Sequence, residues 1–143
     1  MESTCIMLVA HAPIASSIAR AAAHVLGEAV PALLPVDVGA IGQHELLVRE
    51  CLEGFAGGGW RDLLIVTDLV GGTPCNVAVK VAAQLGARAQ VVAGLHLAML
   101  LALLEQRDGV GLHTLARIAR IEGRRWVISA HQASLTPCLN AGA

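Results

Sequence analysis

Aromatic residues are nearly absent from this chain of 143 residues and make up 2% of it. The chain therefore offers little for stacking on bases or sugars, and its net charge of −1 gives no basic surface for phosphate backbones, which excludes nucleic acid as a partner. Charged residues are also scarce, at 15%, whereas hydrophobic residues reach 55%, which predicts one domain with a substantial core. The longest apolar stretch, residues 91–104, is too short to cross a bilayer.

Several signatures of other protein classes are missing as well. The four cysteines form no C-x-x-C pair, which predicts reduced thiols in a cytoplasmic protein, and the six histidines show no metal-binding spacing, so we expect no metal or other cofactor. The apolar run before His11 has no basic residue ahead of it and is too short for a signal peptide. No G-x-G-x-x-G follows the first strand, and no P-loop lysine is present, so a dinucleotide or P-loop nucleotide site is not indicated.

Strand and helix patterns alternate along the chain with short connections, which predicts an α/β domain with a mostly parallel sheet and helices on both faces. Pro35 cannot donate to a ladder, so the second strand is expected at an edge, and right-handed crossovers then give the order 2-1-3-4 of a doubly wound sheet. Residues 125–129 are interpreted as a last, atypical strand. The domain is expected to span residues 1–129, and residues 130–143 are interpreted as a loosely ordered tail.

The segment 66–76, Val-Thr-Asp-Leu-Val-Gly-Gly-Thr-Pro-Cys-Asn, carries the clearest site pattern. Asp68 ends a buried strand, Gly71 and Gly72 let the backbone approach a ligand, and Thr73 is predicted to cap the helix that begins with Pro74. Because the first N–H groups of a helix have no internal partner, this turn can hold an anion such as phosphate.

A second polar strand end completes the pattern, because the first strand ends in His11. In the order 2-1-3-4 the first and third strands are neighbours whose helices cover opposite faces, so His11 and Asp68 open into the same crevice. A carboxylate that fixes the tautomer of an imidazole leaves the other ring nitrogen free to attack phosphorus, which favours phosphoryl transfer. The alternative is a solvent-facing His11 and a helix-capping Asp68. His96, after the fourth strand, could line the rim or be structural.

These residues resemble the mannose-type enzyme IIA components of the bacterial phosphoenolpyruvate-dependent sugar phosphotransferase system. Three features carry the resemblance across residues 5–129: the segment 66–76, the strand end Val-Ala-His-Ala at 9–12, and Ala-Gly-Leu-His-Leu-Ala-Met-Leu at 93–100. The family usually has Gly where this chain has Ala12, and Asn-x-Pro where it has residues 96–98, His-Leu-Ala.

The resemblance implies that His11 is phosphorylated and that Asp68 is its hydrogen-bonded partner. It further implies a cytoplasmic homodimer with an exchanged last strand, a histidine-containing phosphocarrier protein as the donor, and a separate enzyme IIB component as the acceptor, in sugar uptake or in a regulatory relay. Two alternatives remain open at this point: the phosphotransfer subunit of dihydroxyacetone kinase, and a non-catalytic sensor that binds an anion at the Gly72–Thr73 turn.

Overall fold

Strands and helices alternate in the computed structural model, which describes residues 4–40 and 43–130. A single 3-10 turn, residues 86–88, precedes the fourth strand. In these ranges the strands are β1 (Thr4–His11), β2 (Leu33–Val38), β3 (Asp62–Thr67) and β4 (Ala89–Ala93), and the helices are α1 (Ile14–Leu26), α2 (His44–Gly57), α3 (Thr73–Leu85), α4 (Leu97–Gln106) and α5 (Leu112–Arg125).

The four strands form one parallel sheet in the order β2-β1-β3-β4, which confirms the predicted order and the doubly wound fold. Pro35 lies on the edge strand β2 opposite Leu8, where its missing N–H removes no bond from an interior ladder. The central strands β1 and β3 are buried along nearly their whole length, and the exposed exception on β1 is its last residue, His11. The sheet therefore presents a polar residue at the carboxyl end of its central strand.

Both faces of the sheet are covered by helices, because alternate strand residues point to opposite sides. On β1, Ile6 and Leu8 pack against one layer, while Met7 and Val9 pack against the other. The first layer contains α1, α4 and α5, and the second contains α2 and α3. Since α1 follows β1 and α3 follows β3, the chain leaves these two strand ends in opposite directions and opens a crevice between them.

The end of the chain differs from the sequence prediction. Residues 125–129 form no strand in the described ranges: Arg125 is the last residue of α5, and residues 127–130 pair with none of the four strands. Gly123 lies inside α5, which ends two residues later at Arg125. Residues 131–143, most of the predicted tail, lie outside the described residues.

None of the helices in residues 4–40 and 43–130 is both long and apolar enough to span a membrane. The same ranges contain no group of three His, Cys, Asp or Glu side chains arranged to hold a metal ion.

Candidate phosphoryl-transfer site

The structure brings His11 and Asp68 together at the carboxyl edge of the sheet. His11 is the last residue of β1, and Asp68 directly follows β3, which pairs with β1. Asp68 Oδ2 lies 2.8 Å from Nδ1 of the His11 ring and also accepts a 3.1 Å hydrogen bond from the His11 backbone N–H. One carboxylate oxygen therefore fixes both the backbone and the ring of His11.

The electrostatics of Asp68 favour its ionised form. Burial raises its pKa, but hydrogen bonds from the side chain and backbone of His11 outweigh burial and hold the pKa below its ordinary value. A carboxylate can only accept, so Nδ1 of His11 carries the proton and Nε2 of the neutral ring keeps its lone pair. The His11 side chain is 47% exposed, whereas that of Asp68 is 12% exposed. The ring thus combines a fixed tautomer with an accessible face.

Gly72 forms the floor beneath the imidazole. A Cβ placed on Gly72 would lie 3.1 Å from Cε1 and 3.5 Å from Nε2 of His11, so the ring packs directly on this backbone. The preceding residue, Gly71, has a φ of +82°, a backbone conformation that residues other than glycine rarely adopt. The two positions require glycine for different reasons: Gly71 allows the left-handed turn, and Gly72 leaves space for the His11 ring.

The N-terminus of α3 is located at the same point. The capping residue is Gly72, with φ −81° and ψ 171°, and no side chain caps the helix, so the prediction that Thr73 is the N-cap is wrong by one residue. Thr73 is the first helical residue, and Pro74, the second, has no N–H to satisfy. Because Gly72 lies under Nε2, the positive end of the helix dipole lies next to the nitrogen that keeps its lone pair.

His96 has a different role from that of the two strand-end residues. Its Nδ1 accepts a 3.3 Å hydrogen bond from the Met99 backbone N–H and so caps α4, while Nε2 lies 2.9 Å from the carbonyl oxygen of Gly123 in α5. Both ring nitrogens are engaged within the fold. These two contacts support the structural role, one of the two that the sequence left open for His96.

Asp37 was missed by sequence reasoning and supports the loop after His11. It lies near the end of β2 opposite Ala10, and its Oδ1 accepts a 3.0 Å hydrogen bond from the Ser16 backbone N–H in the first turn of α1. This bond ties the start of α1 to the neighbouring strand. The available signal was its position, because an acidic residue near a strand end at the ligand edge matches the pattern that identified Asp68.

Comparison with known protein families identifies one family. The family model described as "PTS system fructose IIA component" matches residues 5–119. A search of curated proteins finds no match.

Solved structures with the same fold include components of this system. The mannose/sorbose specific IIA subunit from Enterococcus faecalis is 26% identical, with a TM-score of 0.74, 90% of this chain covered and 96% of that one. An EIIA component from Streptococcus agalactiae is 19% identical, with a TM-score of 0.79 and coverages of 88% and 96%. A sigma-54 interaction domain protein from Enterococcus faecalis is 12% identical, with a TM-score of 0.71 and coverages of 86% and 92%, and shows the fold alone.

Proposed function

The chain belongs to the fructose IIA component family of the phosphotransferase system, with a phosphoryl-transfer role in that system, and we propose that His11 is the residue that carries the phosphoryl group. The observation that supports this assignment is the 2.8 Å contact between His11 Nδ1 and Asp68 Oδ2. It leaves Nε2 as the nucleophile, on the side of the ring that faces the N-terminus of α3.

The proposed step transfers one phosphoryl group between two imidazoles. The Nε2 lone pair of His11 attacks the phosphorus of a phosphohistidine on the donor, a new N–P bond forms, and the donor's N–P bond breaks with its electron pair returning to the donor ring. Positive charge develops on the His11 ring as the new bond forms, and the Asp68 carboxylate stabilises it through Nδ1–H. The reverse sequence delivers the group to an acceptor.

The turn of residues 71–73 is proposed to hold the transferred group. Backbone N–H groups at a helix N-terminus are unpartnered within the helix and point outward along its axis, and they favour negative charge by position and by dipole. Gly72 and Thr73 supply such groups beside His11, and the Thr73 hydroxyl, which caps nothing, is available as a further donor. Gly71 contributes by its turn conformation.

We further propose the partners that this chemistry implies: a histidine-containing phosphocarrier protein as donor, an enzyme IIB component as acceptor, and a second copy of this chain in a homodimer. Apolar side chains at the end of the described chain support the dimer, because Ile121, Val127 and Ile128 are 54%, 76% and 47% exposed. Within the described ranges, the outer edge of β4 is also unpaired, which leaves its backbone available to a second copy.

Incubation with phosphoenolpyruvate, enzyme I and the phosphocarrier protein tests the function. We expect one acid-labile, base-stable phosphoryl group on His11, detected by mass spectrometry, and its loss in His11→Ala. His24→Ala is the matched control, because His24 is an exposed histidine on α1 away from the strand ends. Unchanged labelling of His11→Ala would refute the assignment, and absence of labelling in the unsubstituted protein would favour an anion sensor.

A further inference from the structure

Thr67 is the last residue of β3 and directly precedes Asp68, whose carboxylate contacts His11. It is fully buried, and the four strand residues before it, Leu-Leu-Ile-Val at 63–66, are apolar and buried as well. Valine has nearly the same shape as threonine and would fill the same space. Because a buried hydroxyl is unfavourable unless it forms a hydrogen bond, packing alone does not account for a threonine at this position.

The Thr67 hydroxyl has one acceptor within the described residues, and that acceptor belongs to Asp68. Thr67 Oγ1 lies 3.4 Å from Asp68 Oδ1, the carboxylate oxygen that forms no hydrogen bond with His11. The other oxygen, Oδ2, accepts from the backbone N–H of His11 and contacts Nδ1 of its ring. The three contacts together engage both oxygens, so they fix the plane of the carboxylate with Oδ2 turned toward the imidazole.

The backbone of Thr67 is itself held firmly. Thr67 pairs with β1 on one side and with β4 on the other. Its carbonyl oxygen accepts hydrogen bonds of 2.9 Å and 3.1 Å from the backbone N–H groups of Gly94 and Leu95. Asp68, by contrast, lies just beyond the end of the strand. The hydroxyl therefore supports Asp68 from a rigid element of the sheet, which is the arrangement that holds a reacting group in place.

We propose that Thr67 is a positioning residue for phosphoryl transfer, whose hydroxyl holds the Asp68 carboxylate in the orientation that contacts Nδ1 of His11. This inference rests on the proposed function of His11 and adds a residue to that site. Thr67 acts through Asp68 alone, because a fully buried residue touches neither the donor nor the transferred group. The hydroxyl donates to the ionised carboxylate, so it also favours the charged form that stabilises the imidazolium.

The experiment compares Thr67→Val with Thr67→Ser, and the phosphorylated histidine-containing phosphocarrier protein serves as the donor. Thr67→Val keeps the shape of the side chain and removes the hydroxyl, whereas Thr67→Ser keeps the hydroxyl. For Thr67→Val we expect the rate at saturating donor to fall about ten-fold, the lower end for a hydrogen bond to a charged group, because 3.4 Å is a long bond. We expect an unchanged KM for Thr67→Val and most of the rate restored in Thr67→Ser.

Thr4→Val is the matched control. Thr4 is a second buried threonine of the same sheet, 2% exposed, at the start of β1 and so at the opposite end of that strand from His11. Its hydroxyl has no hydrogen-bond partner within residues 4–40 and 43–130. Thr4→Val therefore removes a buried hydroxyl without removing a bond to Asp68, and its rate and KM should equal those of the unsubstituted protein.

The titration of Asp68 gives a second measurement that does not depend on transfer. Carbon-13 NMR of the carboxyl group follows it in the unphosphorylated protein, and the His11 ring, its ionisable contact, is followed in the same samples. Residues 12–19, 69–79 and 94–104, which leave the same edge of the sheet, contain no Asp, Glu, Lys or Arg. Since a hydrogen bond to the charged form lowers a pKa, Asp68 should titrate at higher pH in Thr67→Val than in Thr67→Ser. If Thr67→Val does not fold, Thr67→Ala replaces it, with Thr4→Ala as its control.

The outcomes separate this inference from the function on which it rests. If the unsubstituted protein is not labelled, the proposed function fails. If it is labelled but Thr67→Val reacts at the rate of the unsubstituted protein, the function stands and the positioning role is refuted. An equal loss of rate in Thr4→Val, a loss that lies in KM, or no recovery in Thr67→Ser likewise refutes it. So does an Asp68 carboxyl that titrates at the same pH in Thr67→Val and Thr67→Ser.

Discussion

Replacing Gly72 by Ala adds a single methyl group at the point where the His11 ring packs on the backbone. The φ and ψ of Gly72, −81° and 171°, are allowed for alanine, so the main-chain conformation need not change. The new Cβ would lie 3.1 Å from His11 Cε1, whereas carbon atoms in good contact are about 3.5–4.0 Å apart. The ring must therefore move away from Gly72 by several tenths of an ångström.

That movement acts on the position of the nucleophile. The ring is also held by the 2.8 Å contact between its Nδ1 and Asp68 Oδ2, so the shift either lengthens this contact or turns Nε2 away from the N-terminus of α3. A displacement of about 1 Å costs about a hundred-fold in rate, so we expect phosphorylation of Gly72→Ala to slow about ten-fold. Single-turnover rates at saturating donor measure this directly, because they exclude a change in affinity.

Gly111→Ala supplies a control for the cap itself. Gly111 caps α5 with φ −78° and ψ 165°, close to the values of Gly72, and a Cβ there meets nothing within 4 Å. Both variants therefore make the same change at a helix N-cap, but only Gly72→Ala adds a contact with His11. If both variants phosphorylate at the rate of the unsubstituted protein, the packing of the ring on Gly72 is irrelevant to the reaction and our reasoning about the site is wrong.

Three further predictions address the carboxylate, the histidine cap and the oligomer. Asp68→Asn should slow phosphorylation by about 10²-fold or more, since an amide cannot stabilise the developing imidazolium as a carboxylate does. Because the pKa of Asp68 is lowered in the folded protein, its carboxylate stabilises the fold above its ordinary pKa, and this stabilisation is lost as the pH falls. Asp68→Asn should lack this pH-dependent contribution, which a comparison of acid unfolding curves measures. His96→Ala should lower the free energy of unfolding by about 1–2 kcal/mol in denaturant titrations, because the α4 cap and the bond to Gly123 are both lost, and a change within error would refute that role. Light scattering should give about twice 14.8 kDa, whereas the mass of one chain would refute the dimer.

Local patterns in the sequence were sufficient to predict the strand order and the proximity of the two strand ends. Pro35 marked an edge strand because a missing N–H has the same consequence in any sequence context, and the edge determined the strand order. Once β1 and β3 are neighbours, the residues at their carboxyl ends must lie close together. The juxtaposition of His11 and Asp68 was therefore predictable.

Contacts between helices were not predictable in the same way. Glycine commonly follows a helix C-terminus, so Gly123 would ordinarily mark the end of a helix. In the structure Gly123 lies inside α5, and a Cβ there would be 2.7 Å from the Met99 side chain, so this glycine permits close packing of α5 on α4. Its carbonyl oxygen also forms a hydrogen bond with Nε2 of His96, 27 residues away. This bond can form only once the two helices have packed.

The uncharged segments that follow β1, β3 and β4 bear on the energy of the proposed phosphorylated state. A phosphoryl group brings about −1.5 to −2 charges at neutral pH, and residues 12–19, 69–79 and 94–104 contain no lysine or arginine to neutralise it. Hydrogen bonds from a charged donor would add about 1.5–3 kcal/mol each and would deepen the well in which the group sits. Uncharged backbone donors near Gly72 hold it more weakly. For the proposed phosphohistidine at His11 we therefore expect a high transfer potential, so that the group would leave as readily as it arrives.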